Sequence, residues 1–186
     1  MPQLEIILPA VRAASVIQDP SLPVRIPSFE LPEKRVTLDL DLATRALDAA
    51  RSAAARAYAP YSRFFVGAAA IMADDPNLTV FSAANVENAS YGNTLCAERN
   101  ALHQAAAAGF RSLRLLALSC AQNLEGPLDG RSPCGACRQT IREFTLIDAD
   151  RDTALILIDS GDDHYLGDVL DISRLLPWSF HPGALA

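Results

Sequence analysis

Apolar and polar positions change period several times along this chain, and each change marks an element. Between residues 42 and 58, Leu42, Ala46, Ala49, Ala50, Ala53 and Ala57 recur at helical spacing. Arg45, Asp48, Arg51 and Arg56 fall between them, which predicts a helix that Pro60 stops. Residues 64–72 and 78–86 read as two strands joined by a turn at Asp74-Asp75-Pro76-Asn77. Residues 96–108 read as a helix ended by Gly109, 112–119 as a buried strand and 122–131 as a loop rich in turn residues. A helix over 134–144, a strand over 154–159 and a short final helix over 168–176 complete the pattern. Strands interleaved with helices predict an α/β fold, a mixed sheet with helices on its faces.

The first part of the chain is different. Six of the twelve prolines lie at Pro2, Pro9, Pro20, Pro23, Pro27 and Pro32. Proline fixes φ and removes a backbone donor, so no long helix or central strand runs through this stretch. Short apolar pieces such as Leu4-Glu5-Ile6-Ile7-Leu8 remain able to pack as an arm. The expected division is a Pro-rich extension over 1–37, outside the main fold, and one domain over 38–186.

Composition narrows the function classes. A chain of 186 residues fits one compact core with a tail. Thirty-two alanines within a 50% hydrophobic composition point to closely packed helices. Sixteen Lys+Arg against 22 Asp+Glu leave a net charge of −6, with no dense basic patch to neutralise phosphates. Duplex DNA or RNA is therefore not an expected partner. The longest uncharged run is about a dozen residues, short of the ~20 that a membrane helix needs. The start, Met1-Pro2-Gln3-Leu4-Glu5, has neither the basic region nor the apolar run of a secretory signal, and a cytoplasmic protein is expected.

The four cysteines, Cys96, Cys120, Cys134 and Cys137, carry the chemistry. Cys134-Gly135-Ala136-Cys137 follows Pro133 at a predicted helix start, where free N–H groups and the positive helix end favour thiolates. On its own this pair is compatible with zinc, with a redox dithiol or with coincidence. Cys96-Ala97-Glu98 opens a second predicted helix. Three cysteines with an open fourth position describe a catalytic rather than a closed structural zinc site. The pattern meets the zinc-deaminase signature, H-x-E followed by P-C-x-x-C, with Cys in place of His, and Glu98 takes the role of proton shuttle.

With these residues in view, the chain resembles the cytidine deaminases of the small, homotetrameric, three-cysteine kind. The matching stretches are Tyr58-Ala59-Pro60-Tyr61-Ser62-Arg63-Phe64, Asn85-Val86-Glu87-Asn88-Ala89-Ser90-Tyr91-Gly92, Cys96-Ala97-Glu98-Arg99 and Pro133-Cys134-Gly135-Ala136-Cys137-Arg138-Gln139. Leu175-Leu176-Pro177 with Phe180 matches the family's C-terminal pattern. The resemblance covers about residues 40–181. The tail before residue 38 has no counterpart, Phe65 replaces a usual proline, and the turn at 74–77 is longer.

The resemblance implies a mixed sheet of about five strands flanked by helices on both faces, Zn²⁺ on Cys96, Cys134 and Cys137, and Glu98 as the catalytic acid–base. It implies that Asn85 and Glu87 hold the ribose 3′-hydroxyl and that Phe64 lies beside the substrate. The Ala97 N–H would meet the pyrimidine carbonyl, and carbonyls near Ser132 and Cys134 would accept from the exocyclic amine. Phe180 would stack on the base from a neighbouring subunit, and Tyr91 would sit at the subunit contact near the site. Three thiolates on Zn²⁺ leave a net negative charge, which Arg99 is placed to offset. The implied reaction is hydrolysis of cytidine and deoxycytidine to uridine and deoxyuridine with release of ammonia, in pyrimidine salvage.

Three rival readings are weaker. A deaminase of an antibiotic nucleoside such as blasticidin S shares the three cysteines, but Glu87 suits a ribose hydroxyl better. Polynucleotide deaminases fit poorly with an acidic chain and a Cys ligand. A non-catalytic binding module has no need of Glu98. Cys120 is expected as a buried thiol, Asp162-Asp163 as a solvated loop, and His103, His164 and His181 show no ligand spacing.

Overall fold

A computed structural model describes residues 2–12, 29–145, 154–161 and 166–180 of the chain. Four short strands come first: β1 (Gln3–Leu8), β2 (Val11–Arg12), β3 (Glu30–Leu31) and β4 (Lys34–Asp39). Helix α1 (Leu40–Ala54) leads into β5 (Val66–Met72) and β6 (Val80–Ala84), followed by α2 (Ala97–Ala107) and β7 (Leu113–Cys120). The chain continues with α3 (Gly135–Thr145), β8 (Leu155–Asp159), β9 (Gly167–Leu170) and α4 (Ile172–Leu175).

Strands β5 to β9 form one five-stranded sheet in the order β6-β5-β7-β8-β9. Only the β7–β8 pair is parallel, so the sheet is mixed, as expected. The alternation of a strand sends its side chains to opposite faces. Ala68, Ala70, Leu116, Leu118, Ile156 and Ile158 face α2 and α3, whereas Ala69, Ile71, Leu115, Ala117, Leu155 and Leu157 face α1. Both faces are covered, which is why these strands read as continuous apolar runs. Alanines let α1 lie close to the sheet, and Gly67 carries the closest approach, since a side chain there would collide with the Ala50 carbonyl. Asp39 caps α1 by accepting from the Asp41 and Leu42 N–H groups, each at 3.1 Å.

Two expectations change. The boundary after residue 37 falls inside β4, which pairs antiparallel with β1 from Gln3↔Asp39 to Leu8↔Lys34. Leu8, Val36 and Leu38 are buried in the same cluster as Leu42, Leu155 and Leu157, so this hairpin packs into the main fold rather than standing outside it. The prolines permit it because Pro2 and Pro9 flank β1 instead of interrupting it. The short helix expected over 168–176 is a strand followed by a single helical turn. Asp168, Val169 and Leu170 pair with Ile158, Leu157 and Ile156, and β8 thereby gains a partner on its outer side. Asp162-Asp163, His164 and His181 lie outside the described residues.

Candidate active site

The N-terminal ends of α2 and α3 converge at one corner beneath the sheet. Cys96 is the cap residue of α2, Ala97 its first helical residue, and Glu98 follows in the first turn. Cys134 immediately precedes α3 and Cys137 lies in its first turn. The first N–H groups of a helix have no acceptor within it, so both ends present positive charge to the sulfurs.

The three Sγ atoms lie within 4.8 Å of one another. Cys96 and Cys134 are 3.8 Å apart, and Cys134 and Cys137 are 3.3 Å apart. Tetrahedral ligands at ~2.3 Å from Zn²⁺ are separated by ~3.8 Å, so the cluster suits that ion with a small opening of the second pair. The donor chemistry agrees. Hydrogen bonds from Cys137, then Cys134 and Arg99, outweigh burial and pull Cys96 down to about 5. The same exchange, together with burial, drives Cys137 upward, because adjacent thiols cannot all ionise without a cation between them.

Glu98 is only 5% exposed. Burial pushes its carboxyl up to about 7; its own backbone N–H opposes the rise and the Cys96 thiolate adds to it. Arg99 donates from Nη2 to the Thr94 carbonyl at 2.7 Å, while its buried Nε has no protein partner. Burial disfavours its charge, but the hydrogen bond and negative charge of Cys96 overcome that and raise its pKa.

These groups open into a cavity of about 390 Å³ whose lining includes Phe64, Asn85, Glu87, Cys96, Ala97 and Glu98. Glu87 accepts from the backbone N–H groups of Tyr61 (2.8 Å) and Ser62 (3.2 Å) and from the Ser62 hydroxyl. The Ser62 bond, against some desolvation and with help from the two N–H groups, holds its carboxyl below the usual range. Asn85 is committed to the strand start: its Nδ2 donates to the Phe64 carbonyl at 2.9 Å and its Oδ1 accepts from Val66 N–H at 2.9 Å. One amide hydrogen remains for a ligand. Of the two carbonyls expected to meet an amine, that of Cys134 already accepts from Arg138 N–H at 2.9 Å.

Tyr91 and Phe180 do not line this cavity. Tyr91 is 74% exposed and meets the Tyr61 ring edge-on at 6.0 Å, and Phe180 is 60% exposed. His103 is exposed and away from the sulfurs. Cys120 is buried, with its thiol raised to about 11 chiefly by burial, yet it lines the cavity. Ser62 and Arg131 also line it, and neither was assigned a role from sequence. Ser62 stands inside a matching stretch, which is a signal for it. Arg131 had none, since its contacts with Gly126, Asp159 and Asp168 depend on the folded loop.

Residues 41–149 match the family model of the cytidine and deoxycytidylate deaminase zinc-binding region. A cytidine deaminase of Sporosarcina psychrophila is 47% identical over 94 residues, 50% of this chain and 63% of that protein. The cytidine deaminase of Halalkalibacterium halodurans is 42% identical over 126 residues, 67% of this chain and 83% of its own length. The crystal structure of cytidine deaminase from Burkholderia pseudomallei superposes with a TM-score of 0.59 at 38% identity, over 74% of this chain and 98% of that one. Two helix starts that bring three sulfurs around a buried glutamate, on a sheet these relatives share, place the chain in the cytidine deaminase family of hydrolases.

Proposed function

We propose that this chain hydrolyses cytidine and deoxycytidine to uridine and deoxyuridine, releasing ammonia, as a zinc enzyme of pyrimidine salvage. The observation that carries the reading is the juxtaposition of Cys96, Cys134 and Cys137 with buried Glu98 at the floor of a nucleoside-sized cavity. Zn²⁺ held by the three thiolates would supply an activated water at neutral pH. Glu98 accepts that water's proton and delivers it to ring N3, which makes C4 electrophilic, and the water oxygen bonds to C4. Glu98 then moves the proton of the new C4 hydroxyl to the amine, and the C4–N bond breaks to release ammonia and leave the C4 carbonyl. Burial raises this carboxyl above the ordinary carboxylate range, which suits a group that must both take and give protons.

The other residues bind and orient. The Ala97 N–H, at the positive end of α2, meets the pyrimidine carbonyl. Phe64 flanks the base. Glu87, kept ionised by the residues around 61–62, accepts from the ribose hydroxyl, with the remaining Asn85 N–H beside it. Arg99 offsets the thiolate charge through Cys96.

A homotetramer with shared active sites accounts for the exposed rings. Tyr58, Tyr61, Val86 and Tyr91 form an apolar rim at 48–74% exposure, and Phe180 is exposed and does not line its own cavity. A neighbouring copy would cover the rim and receive Phe180 onto its bound base. Among the described residues no helix is long and apolar enough to cross a membrane; the cytoplasm suits free thiolate ligands. The test is ammonia release from cytidine, deoxycytidine, cytidine monophosphate, blasticidin S and single-stranded DNA. Preference for the two free nucleosides supports the proposal, and preference for any of the others replaces it.

A further inference from the structure

The N-terminal strands grip the segment that ends in Phe180. Arg174, in α4, has a side chain only 6% exposed. Its Nη1 pairs with Asp171, itself 2% exposed, and Asp171 also accepts from the Arg174 N–H at 3.0 Å. Its Nη2 donates to three carbonyls at the ends of the N-terminal strands: Leu8 (3.2 Å), Pro9 (3.0 Å) and Pro32 (3.1 Å). Lys34 adds a 3.9 Å contact to Asp171. A second clamp lies further on, where Phe29 meets Trp178 edge-to-face with ring centroids 5.3 Å apart.

Trp178 holds φ at +52°, in the left-handed region that a bulky side chain rarely adopts. Two residues later the Phe180 carbonyl accepts from Gln139 Nε2 at 3.0 Å. The path from residue 171 to 180 is therefore held by the N-terminal strands on one side and α3 on the other. Burying an arginine costs free energy unless its charge and donors are met. Here Asp171 meets the charge and backbone far away in sequence meets Nη2, while the buried Nε has no hydrogen-bond partner. None of these groups touches a zinc or substrate position.

We propose that the N-terminal strands brace residues 171–180, which makes Arg174 and Phe29 positioning residues for Phe180 and, through it, for substrate affinity. This rests on Phe180 contacting substrate, as proposed above. A segment fixed before substrate arrives loses less entropy on binding than one that must be ordered then.

The experiment is steady-state kinetics on the full chain carrying Phe29→Ala, Arg174→Lys or Phe180→Ala, and on each of the first two combined with Phe180→Ala. Trp178 is the sole tryptophan and is 66% exposed, so the anisotropy of its emission, rather than its access to a quencher, reports the brace. Expected are a lower anisotropy and a KM raised about two- to tenfold at unchanged kcat, the range one ring pair is worth. In the Phe180→Ala background the same variants should add nothing, because the residue they position is gone. Unchanged anisotropy, an unchanged KM, or an equal rise in both backgrounds would each overturn the brace. Should Phe180→Ala alone leave KM unaltered, the fault lies in the substrate contact of Phe180, and the proposal falls with that premise.

Discussion

Replacing Glu98 with glutamine tests the proton carrier with almost no structural disturbance. The side chain is 5% exposed beside the sulfurs, and glutamine has nearly the same volume, so no cavity opens. A neutral amide also removes the cost of burying a carboxylate, and Glu98→Gln is expected to fold at least as stably as the parent. Positioned acid–base groups contribute ~10²–10⁴-fold, or roughly 3–5 kcal/mol of barrier at 1.36 kcal/mol per decade. In the proposed cycle Glu98 serves two transfers, towards N3 and towards the amine, which puts the expected loss at the upper end. The assay is ammonia release from saturating cytidine, with bound zinc measured on the same samples. A loss below tenfold at matched zinc content would refute Glu98 as the shuttle.

Other consequences follow from the same contacts. Glu87→Ala should depress turnover of cytidine far more than that of free cytosine, because only the nucleoside has a sugar to lose; equal losses in a side-by-side kcat/KM comparison would point instead to a collapsed 61–62 loop. Phe180→Ala should weaken substrate use by roughly ten- to a hundredfold, the worth of ~1–3 kcal/mol for an aromatic stacked on a base. Mixed with Glu98→Gln chains under subunit exchange, it should regain activity above the sum of the separate samples. Asp159 is buried and accepts from Arg51 at 2.7 and 2.9 Å and from the Ser119 hydroxyl at 2.8 Å. Burial alone would raise its carboxyl, and the Arg51 and Ser119 bonds outweigh that and hold it below 3.8. Its contribution is thus full above the unfolded value and disappears as pH falls through the folded one. Asp159→Asn should cost roughly 3 kcal/mol at pH 7, the low end for a broken buried pair because Arg51 is half exposed. The deficit should shrink at pH 3 in urea titrations.

The gathering of the three cysteines and Glu98 was legible because its signals are local. Cys96-Ala97-Glu98 and Pro133-Cys134-Gly135-Ala136-Cys137 each start a helix, and a helix start fixes where its first side chains point. The sheet strands were legible for a related reason, since burial on both faces leaves unbroken apolar runs such as β5 and β8. The N-terminal hairpin was not. Its pairing joins Gln3 to Asp39 across a proline-rich stretch, and the signal that Ile6 and Leu8 face the core comes only from the partner strand and from Leu155 and Leu157. Strand β9 was lost in the same way: Gly167-Asp168-Val169-Leu170 is too short for a period, and β8 decides its conformation. The commitment of Asn85 to Phe64 and Val66 likewise needs the folded strand start, so sequence could assign it to substrate without seeing what it already holds.

The most direct measurement of the central claim is ammonia release from cytidine as a function of zinc bound per chain, starting from protein stripped by a chelator. The rate should rise in proportion to bound zinc and level off at one ion per chain, with Cys96→Ser, Cys134→Ser and Cys137→Ser each weakening retention. Full activity in the stripped protein, or no ammonia at one zinc per chain, would contradict a zinc-dependent cytidine deaminase built on these three cysteines.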